Sequence, residues 1–266
     1  MLPEYWPWMV AYHRVREPLY CRVIRELQLA RAARVLDAGS GDAFYSQLFA
    51  GLLGPRAQIV AYDCDLNLLK TACDLAPNVF RCVGDLEQNC LAPASFDAVW
   101  LCRSMQAARD PLGLLSALVP LLRPGGRLIV VENDTAHYPI LPVPADFEHR
   151  LHGARLQYER GRCAGAEACE RYQAAKHLAH WLRQLGLVDL SVHTIVSEDL
   201  APLDPAVEEY WRLFLAWDAH QLEPFLSSAD AVAYCSASDP ASPDYLLSRP
   251  GCYCVELTTV ACALRP

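Results

Sequence analysis

Short apolar runs alternate with amphipathic stretches through the first half of the chain. Five of these runs have the length of buried strands: 34–38, 58–62, 78–83, 96–102 and 127–132. Between them, apolar residues recur at helical spacing over 42–53, 66–75 and 111–122. Strands that alternate with helices of about ten residues predict βαβ units and a parallel sheet. Right-handed crossovers then place helices on both faces of that sheet.

The pattern changes after Glu132. Residues 133–166 contain several prolines and glycines, which predict an irregular connection with one short helix. A helix with apolar residues at i, i+3, i+4 and i+7 follows and ends at Gly186. The remaining pattern predicts a sixth strand over 188–196, an aromatic-rich helical region over 205–226 and a seventh strand over 252–264.

Composition narrows the class of protein. The chain has 266 residues, of which 53% are hydrophobic and 20% charged, so a packed domain is expected rather than disorder. The net charge of −8 argues against a nucleic-acid partner, because a phosphate backbone requires a basic surface. No apolar run reaches membrane-spanning length, and the N-terminus lacks the basic start and apolar core of a secretory signal. We therefore expect a cytoplasmic protein without a membrane span.

The 12 cysteines do not form a metal-binding pattern. The sequence contains no C-x-x-C pair and no histidine cluster at metal-ligand spacing, so we predict no metal site. Most of the cysteines are interpreted as small buried hydrophobic residues. A structural metal or a thiol role at Cys163 and Cys169 is the alternative.

The turn after the first strand is the most informative feature. Asp37 ends the strand, Gly39-Ser40-Gly41 follows, and an amphipathic helix pattern starts directly afterwards. Glycine lacks the Cβ atom that would keep a ligand away from the backbone. A helix start also offers unpaired N–H groups. The turn is therefore predicted to bind a nucleotide.

Acids also end the next two strands, at Asp63 and Asp85. In a doubly wound sheet, ligands lie outside the carboxyl ends of the strands. An acid in the position of Asp63 can accept both ribose hydroxyls of an adenosine, and Asp85 is placed for the adenine amino group. A dinucleotide-binding dehydrogenase is an alternative, but Phe44 stands where its fingerprint requires a third glycine.

Five motifs in this order resemble those of the class I S-adenosylmethionine-dependent methyltransferases: 35–41, 62–63, 84–85, 96–99 and 122–128. The most similar branch is the small-molecule group that includes the ubiquinone/menaquinone-biosynthesis type, methyltransferase type 11. The resemblance covers roughly residues 30–135. The chain departs from the pattern at Ala43, where a third glycine is usual, and at Gln106, where relatives often carry histidine.

The resemblance implies S-adenosylmethionine as the cofactor. It places Asp37, Gly39 and Gly41 beside the methionine part and Asp63 at the ribose. The other implied cofactor contacts, from the ribose and adenine to the sulfonium, are Cys64, Asp85, Leu86, Arg103 and Ser104.

Methyl transfer from a sulfonium is a direct displacement, so alignment of the groups and exclusion of water can supply much of the catalysis. A general base helps when the acceptor is a phenol or an alcohol. The candidate catalytic residues are His137, the preferred base, with Gln106 and His13. Aromatic side chains predicted to contact a mostly apolar acceptor are Tyr5, Trp8, Tyr12, Tyr138 and Trp211.

The predicted architecture is α/β, a Rossmann-like seven-stranded sheet with helices on both faces. One methyltransferase domain spans 1–266: an N-terminal helical lid over 1–30, a cofactor-binding core over 31–135, and an acceptor-binding part over 136–266 with a helical cap at 200–250. The predicted function is methylation of an apolar small molecule in bacterial specialised metabolism, with O-methylation favoured over C or N. The alternatives are a cofactor-promoted cyclisation or rearrangement without methyl transfer, and a non-catalytic cofactor-binding protein. The sequence leaves open whether the protein is a monomer or a homodimer.

Overall fold

A seven-stranded sheet forms the centre of the protein in a computed structural model that describes residues 2–31, 33–133, 139–161 and 174–266. The strands are β1 (Arg34–Ala38), β2 (Gln58–Asp63), β3 (Val79–Val83), β4 (Phe96–Cys102), β5 (Leu122–Asn133), β6 (Val188–Leu200) and β7 (Tyr253–Leu264). They lie in the order β3-β2-β1-β4-β5-β7-β6. The first five strands are parallel, and β7 is antiparallel to both β5 and β6.

Helices cover both faces of this sheet, because the central strands carry buried apolar side chains on both faces. Val35 and Trp100 point to the face that carries most of the helices, and Leu36 and Val99 point to the other face. The described helices are α1 (Trp6–Glu26), α2 (Phe44–Leu53), α3 (Leu66–Thr71), α4 (Pro111–Leu118), α5 (Ala145–Gly161), α6 (Ala174–Gln184), α7 (Pro205–Leu222) and α8 (Ser228–Ser238). The predicted Rossmann-like α/β fold is confirmed.

The structure differs from the sequence-based prediction mainly in the second half of the chain. The connection over 133–166 contains a helix of 17 residues, α5, so the expectation of one short helix was wrong. Phe147, Leu151 and Ala154 are buried at helical spacing, and the polar residues between them hid this pattern. Strand β6 continues to Leu200 because its backbone pairs with β7 as far as Tyr253.

A buried arginine on α1 joins this helix to β7 and β6, the two strands at one edge of the sheet. Arg16 donates from Nε to Glu256 of β7 (2.7 Å) and from Nη1 and Nη2 to Asp199 of β6 (3.2 and 2.5 Å). Helix α7 contributes to the same network, since Tyr210 donates to Glu256 (2.6 Å) and Trp211 donates to Asp199 (2.8 Å). The network fastens α1, α7 and the β6–β7 pair together.

This network lies beyond the carboxyl end of β5. Thr258 pairs with Asn133, the last residue of β5, and Glu256 stands two residues further along β7. Helix α1 is thereby held at the edge of the sheet where the parallel strands end. Within the described ranges, no helix is long and apolar enough to cross a bilayer.

Candidate functional site

The glycine turn after β1 is built so that one of its positions accepts only glycine. Gly39 has a φ of +71°, and a Cβ atom added there would stand 2.4 Å from the Ser104 hydroxyl oxygen. The backbone N–H groups of Gly39 and Ser40 donate to the Tyr62 carbonyl at the end of β2 (2.8 and 3.0 Å). Gly41 also has a positive φ, +54°, but faces open space. The turn is therefore closely packed at Gly39 and open to a ligand at Gly41.

Asp63 connects this turn to the end of β2. Its Oδ2 accepts a hydrogen bond from the Gly41 N–H (2.8 Å), and its Oδ1 accepts one from the Asp65 N–H (2.8 Å). The side chain is half-buried. Because each carboxylate oxygen can accept more than one hydrogen bond, both oxygens keep capacity for a ligand.

Asp85 and Leu86 lie beside the same turn, after β3. Leu86 packs near Gly39, where an added Cβ would be 3.7 Å from Leu86 Cδ1. Asp85 is exposed, and its backbone carbonyl accepts a hydrogen bond from the Tyr62 hydroxyl (3.2 Å). Cys64 is exposed at the end of β2. The structure thus brings the predicted ribose and adenine residues to one edge of the sheet.

Asp37 faces inward. It is 1% exposed, and its Oδ2 accepts a hydrogen bond from the Ser46 hydroxyl on α2 (2.6 Å). Burial raises the pKa of Asp37 from 3.8 to about 7. In this position the carboxyl group ties β1 to α2 beneath the turn, and its contact with a cofactor stays a prediction.

The segment after β4 is held tightly against the turn and β5. Arg103 has a φ of +54°, and its backbone N–H donates to the Val131 carbonyl (2.8 Å). The Ser104 hydroxyl donates to the carbonyl of Gly39 (3.2 Å). Glu132 is buried and accepts a hydrogen bond from the Met105 N–H (2.9 Å). Burial raises the pKa of Glu132 to about 7.

Helix α1 brings His13 to the glycine turn. The imidazole stacks on Phe44, with ring centroids 4.2 Å apart and an angle of 4° between the planes. Its Nδ1 lies 3.4 Å from Oδ2 of Asp42, whose Oδ1 accepts a hydrogen bond from the Phe44 N–H (3.2 Å). Asp42 and Phe44 were not predicted site residues, because only the fold brings α1 to them.

The part of the chain that contains this turn and the strands around it is similar to known proteins. Residues 36–130 match the family model described as a methyltransferase domain. A ubiquinone/menaquinone biosynthesis C-methyltransferase from Syntrophotalea carbinolica is 31% identical over 125 residues, 44% of this chain and 51% of that protein. A ubiquinone biosynthesis O-methyltransferase from Xanthomonas euvesicatoria is 31% identical over 174 residues, 62% of this chain and 66% of that protein.

The chain belongs to the class I S-adenosylmethionine-dependent methyltransferases.

Solved structures agree on the fold. A protein from Bacillus halodurans C-125 has a TM-score of 0.60 at 16% identity, over 93% of this chain and 98% of that chain. The geranyl diphosphate C-methyltransferase from Streptomyces coelicolor has a TM-score of 0.52 at 14% identity, over 96% of this chain and 80% of that chain. The chain spans about half the length of the C-methyltransferase and two thirds of the O-methyltransferase to which its sequence is similar.

The aromatic residues predicted for the acceptor of this methyltransferase fall into two groups. Trp8 and Tyr12 lie on α1 against the Arg103 guanidinium, at 5.4 and 4.3 Å from their ring centroids, and the Tyr5 ring is 6.4 Å from Trp8. Trp211 is fully buried with its indole N–H bonded to Asp199, and Tyr12 is also buried, at 1% exposure, with its hydroxyl bonded to the Tyr20 hydroxyl (2.7 Å).

The structure describes one of the remaining predicted residues and leaves the others outside its described ranges. Gln106 lies half-buried in the helical turn Met105–Ala107. His137 and Tyr138 lie outside the described residues, as do Cys163 and Cys169. Among the residues that are described, no three His, Cys, Asp or Glu side chains come together as a metal site.

Proposed function

We propose that this protein transfers a methyl group from S-adenosylmethionine to a mostly apolar small molecule. The observation that carries the proposal is the pairing of Asp63 with the Gly41 N–H at the edge of the turn. A carboxylate with spare acceptor capacity stands there beside an open backbone position. Adenosine offers this carboxylate two ribose hydroxyls, and the turn leaves room for the methionine part.

The residues around the turn fit the charge of this cofactor. Asp42 and Asp63 flank the turn, and the cofactor carries positive charge on its ammonium and sulfonium groups. In the proposal Asp63 holds the ribose, Asp85 and Leu86 hold the adenine, and Gly39, Gly41 and Asp37 border the methionine part. Cys64, Arg103 and Ser104 complete the predicted cofactor surroundings. When bound, the cofactor supplies an activated methyl group, and these side chains orient it.

The acceptor site is proposed between α1 and the segment after β4. The half-buried Tyr5 ring and the Trp8 ring form the aromatic side of this proposed site, and Tyr12 is buried against the Arg103 guanidinium. The names of the two relatives specify a C-methyltransferase and an O-methyltransferase, so similarity does not choose the methylated atom.

We favour O-methylation because His13 and Asp42 form a pair suited to removing a hydroxyl proton. Nδ1 of His13 lies 3.4 Å from Oδ2 of Asp42 without forming a hydrogen bond, and in the proposal a small shift pairs the two atoms so that Nε2 accepts the proton. His137, the base preferred from the sequence, and Gln106 stay predictions. A cytoplasmic location and a role in specialised metabolism also stay predictions from the sequence, as does the absence of a nucleic-acid partner.

The experiment is a two-step test of binding and transfer. Calorimetry first measures the binding of S-adenosylmethionine and of S-adenosylhomocysteine to the purified protein. The protein is then incubated with methyl-labelled cofactor and the small-molecule fraction of a bacterial extract, and mass spectrometry follows the label. Labelled product in step with S-adenosylhomocysteine supports the proposal. An altered but unlabelled product would favour a cyclisation or rearrangement, and absence of cofactor binding would refute both.

A further inference from the structure

The carboxyl end of β5 carries a buried amide group with an unused donor. Asn133 is 2% exposed, and its Oδ1 accepts a hydrogen bond from the Thr258 hydroxyl on β7 (3.3 Å). None of the described residues accepts a hydrogen bond from its Nδ2. A buried donor without an acceptor destabilises the protein unless a ligand or an ordered water supplies the acceptor.

A second unused donor lies on α1. Trp8 is 8% exposed, and its indole Nε1–H has no acceptor among the described residues. The indole is fixed by its neighbours, because the rings of Phe214 and Trp217 lie 5.6 and 5.5 Å from it and the Arg103 guanidinium lies 5.4 Å from it. The direction of this N–H is therefore set by packing.

Both donors belong to the same end and the same face of the sheet. Asn133 is on the face of β5 that also presents Val131 to the core beneath α1. The Val131 carbonyl accepts the backbone N–H of Arg103, whose guanidinium stacks on Trp8 and Tyr12. Helix α1, the residues after β4 and the end of β5 thus converge on one region.

We propose that this region binds a carboxylate group of the methyl acceptor, with Asn133 Nδ2 and Trp8 Nε1 as hydrogen-bond donors. Two N–H donors require oxygen lone pairs, which a carbonyl or a carboxylate supplies, and the charged carboxylate oxygen accepts the stronger bond. The Arg103 guanidinium, which lies over the Trp8 and Tyr12 rings and near the buried Glu132, adds positive charge. The acceptor is thereby narrowed to an apolar molecule with one anionic end. This inference rests on the proposed methyltransferase function.

The test compares two probes with the same apolar body, naphthalene-2-carboxylate and the neutral naphthalene-2-methanol. Calorimetry measures their binding to the protein saturated with S-adenosylhomocysteine. Hydrogen bonds to a charged group contribute about 1.5–3 kcal/mol, so we expect the wild-type protein to prefer the carboxylate by about tenfold or more. Equal or absent binding of the two probes overturns the inference.

Three variants assign the preference to the two donors. Asn133→Leu has nearly the same size and no donor, so its preference for the carboxylate should fall severalfold, and Trp8→Phe should likewise weaken only carboxylate binding. Thr258→Val is the control, because it loses the bond to Oδ1 and keeps Nδ2. A preference in Asn133→Leu as large as in wild type contradicts the assignment, and the same result in Trp8→Phe does so if Asn133→Leu fails to fold. Failure of the wild-type protein to bind S-adenosylhomocysteine would instead refute the proposed function.

Discussion

Substitution of Gly39 by alanine tests the packing of the turn. The left-handed backbone at Gly39 costs an L-residue about 1–2 kcal/mol. The new Cβ would also meet Ser104 at 2.4 Å from Oγ and 2.8 Å from Cβ, so Ser104 must move. That movement breaks the hydrogen bond of its single hydroxyl proton, which is shared between the Gly39 and Cys102 carbonyls and contributes about 0.5–1.5 kcal/mol. We expect a total loss of about 2–3 kcal/mol in the free energy of unfolding.

Urea denaturation without cofactor measures this loss, and Gly41→Ala is the matched control. Gly41 has a positive φ and no neighbour within 4 Å of an added Cβ, so its variant should lose only about 1–2 kcal/mol. In the double variant Gly39→Ala/Ser104→Gly, the clash is gone, and a coupling of about 1 kcal/mol or more should be recovered. Equal losses for both alanine variants, with no coupling to Ser104, would refute the argument.

Three further outcomes are expected. Arg16→Met leaves two carboxylates buried without their cation and should cost about 3–5 kcal/mol of unfolding free energy in urea. The matched change Arg150→Met, which breaks a solvent-screened surface ion pair, should cost much less. Because the raised pKa of Asp37 makes the folded protein bind more protons than the unfolded chain between pH 4 and 7, this group lowers stability as pH rises. The difference in unfolding free energy between Asp37→Asn and wild type should therefore shift in favour of the variant from pH 5 to pH 8. A difference that is the same at both pH values would contradict this prediction. His13→Ala should slow turnover of a hydroxyl acceptor by about 10²–10⁴ without changing affinity for S-adenosylhomocysteine, and normal turnover would remove His13 as the base.

The sequence predicts the part of this fold that depends on local patterns. Apolar runs gave the first four strands, and Gly39 and Gly41 gave the turn, since positive φ and close approach both require glycine. The order of the acids also predicted that Asp63 and Asp85 would meet at one edge, because the carboxyl ends of parallel strands lie together.

Contacts between distant parts of the chain could not be read from these patterns. Arg16 is separated from Asp199 and Glu256 by 183 and 240 residues, and no local spacing relates them. The pairing of His13 with Asp42 likewise follows only from where α1 crosses the sheet. The sequence does not distinguish an aromatic residue that is buried in the core, such as Trp211, from one that lines a pocket.

The most direct test of the adenosine site is calorimetry of S-adenosylhomocysteine with Asp63→Ala and Asp65→Ala. Asp65 stands at the same strand end but serves as the N-cap of α3, where it accepts from the Asn67 and Leu68 N–H groups. Loss of Asp63 removes the acceptor for two ribose hydroxyls, so affinity should fall by about 2–4 kcal/mol, a factor of roughly 30–1000. Asp65→Ala should leave the affinity nearly unchanged. Unchanged affinity in Asp63→Ala, or an equal loss in both variants, would contradict an adenosine held at the end of β2.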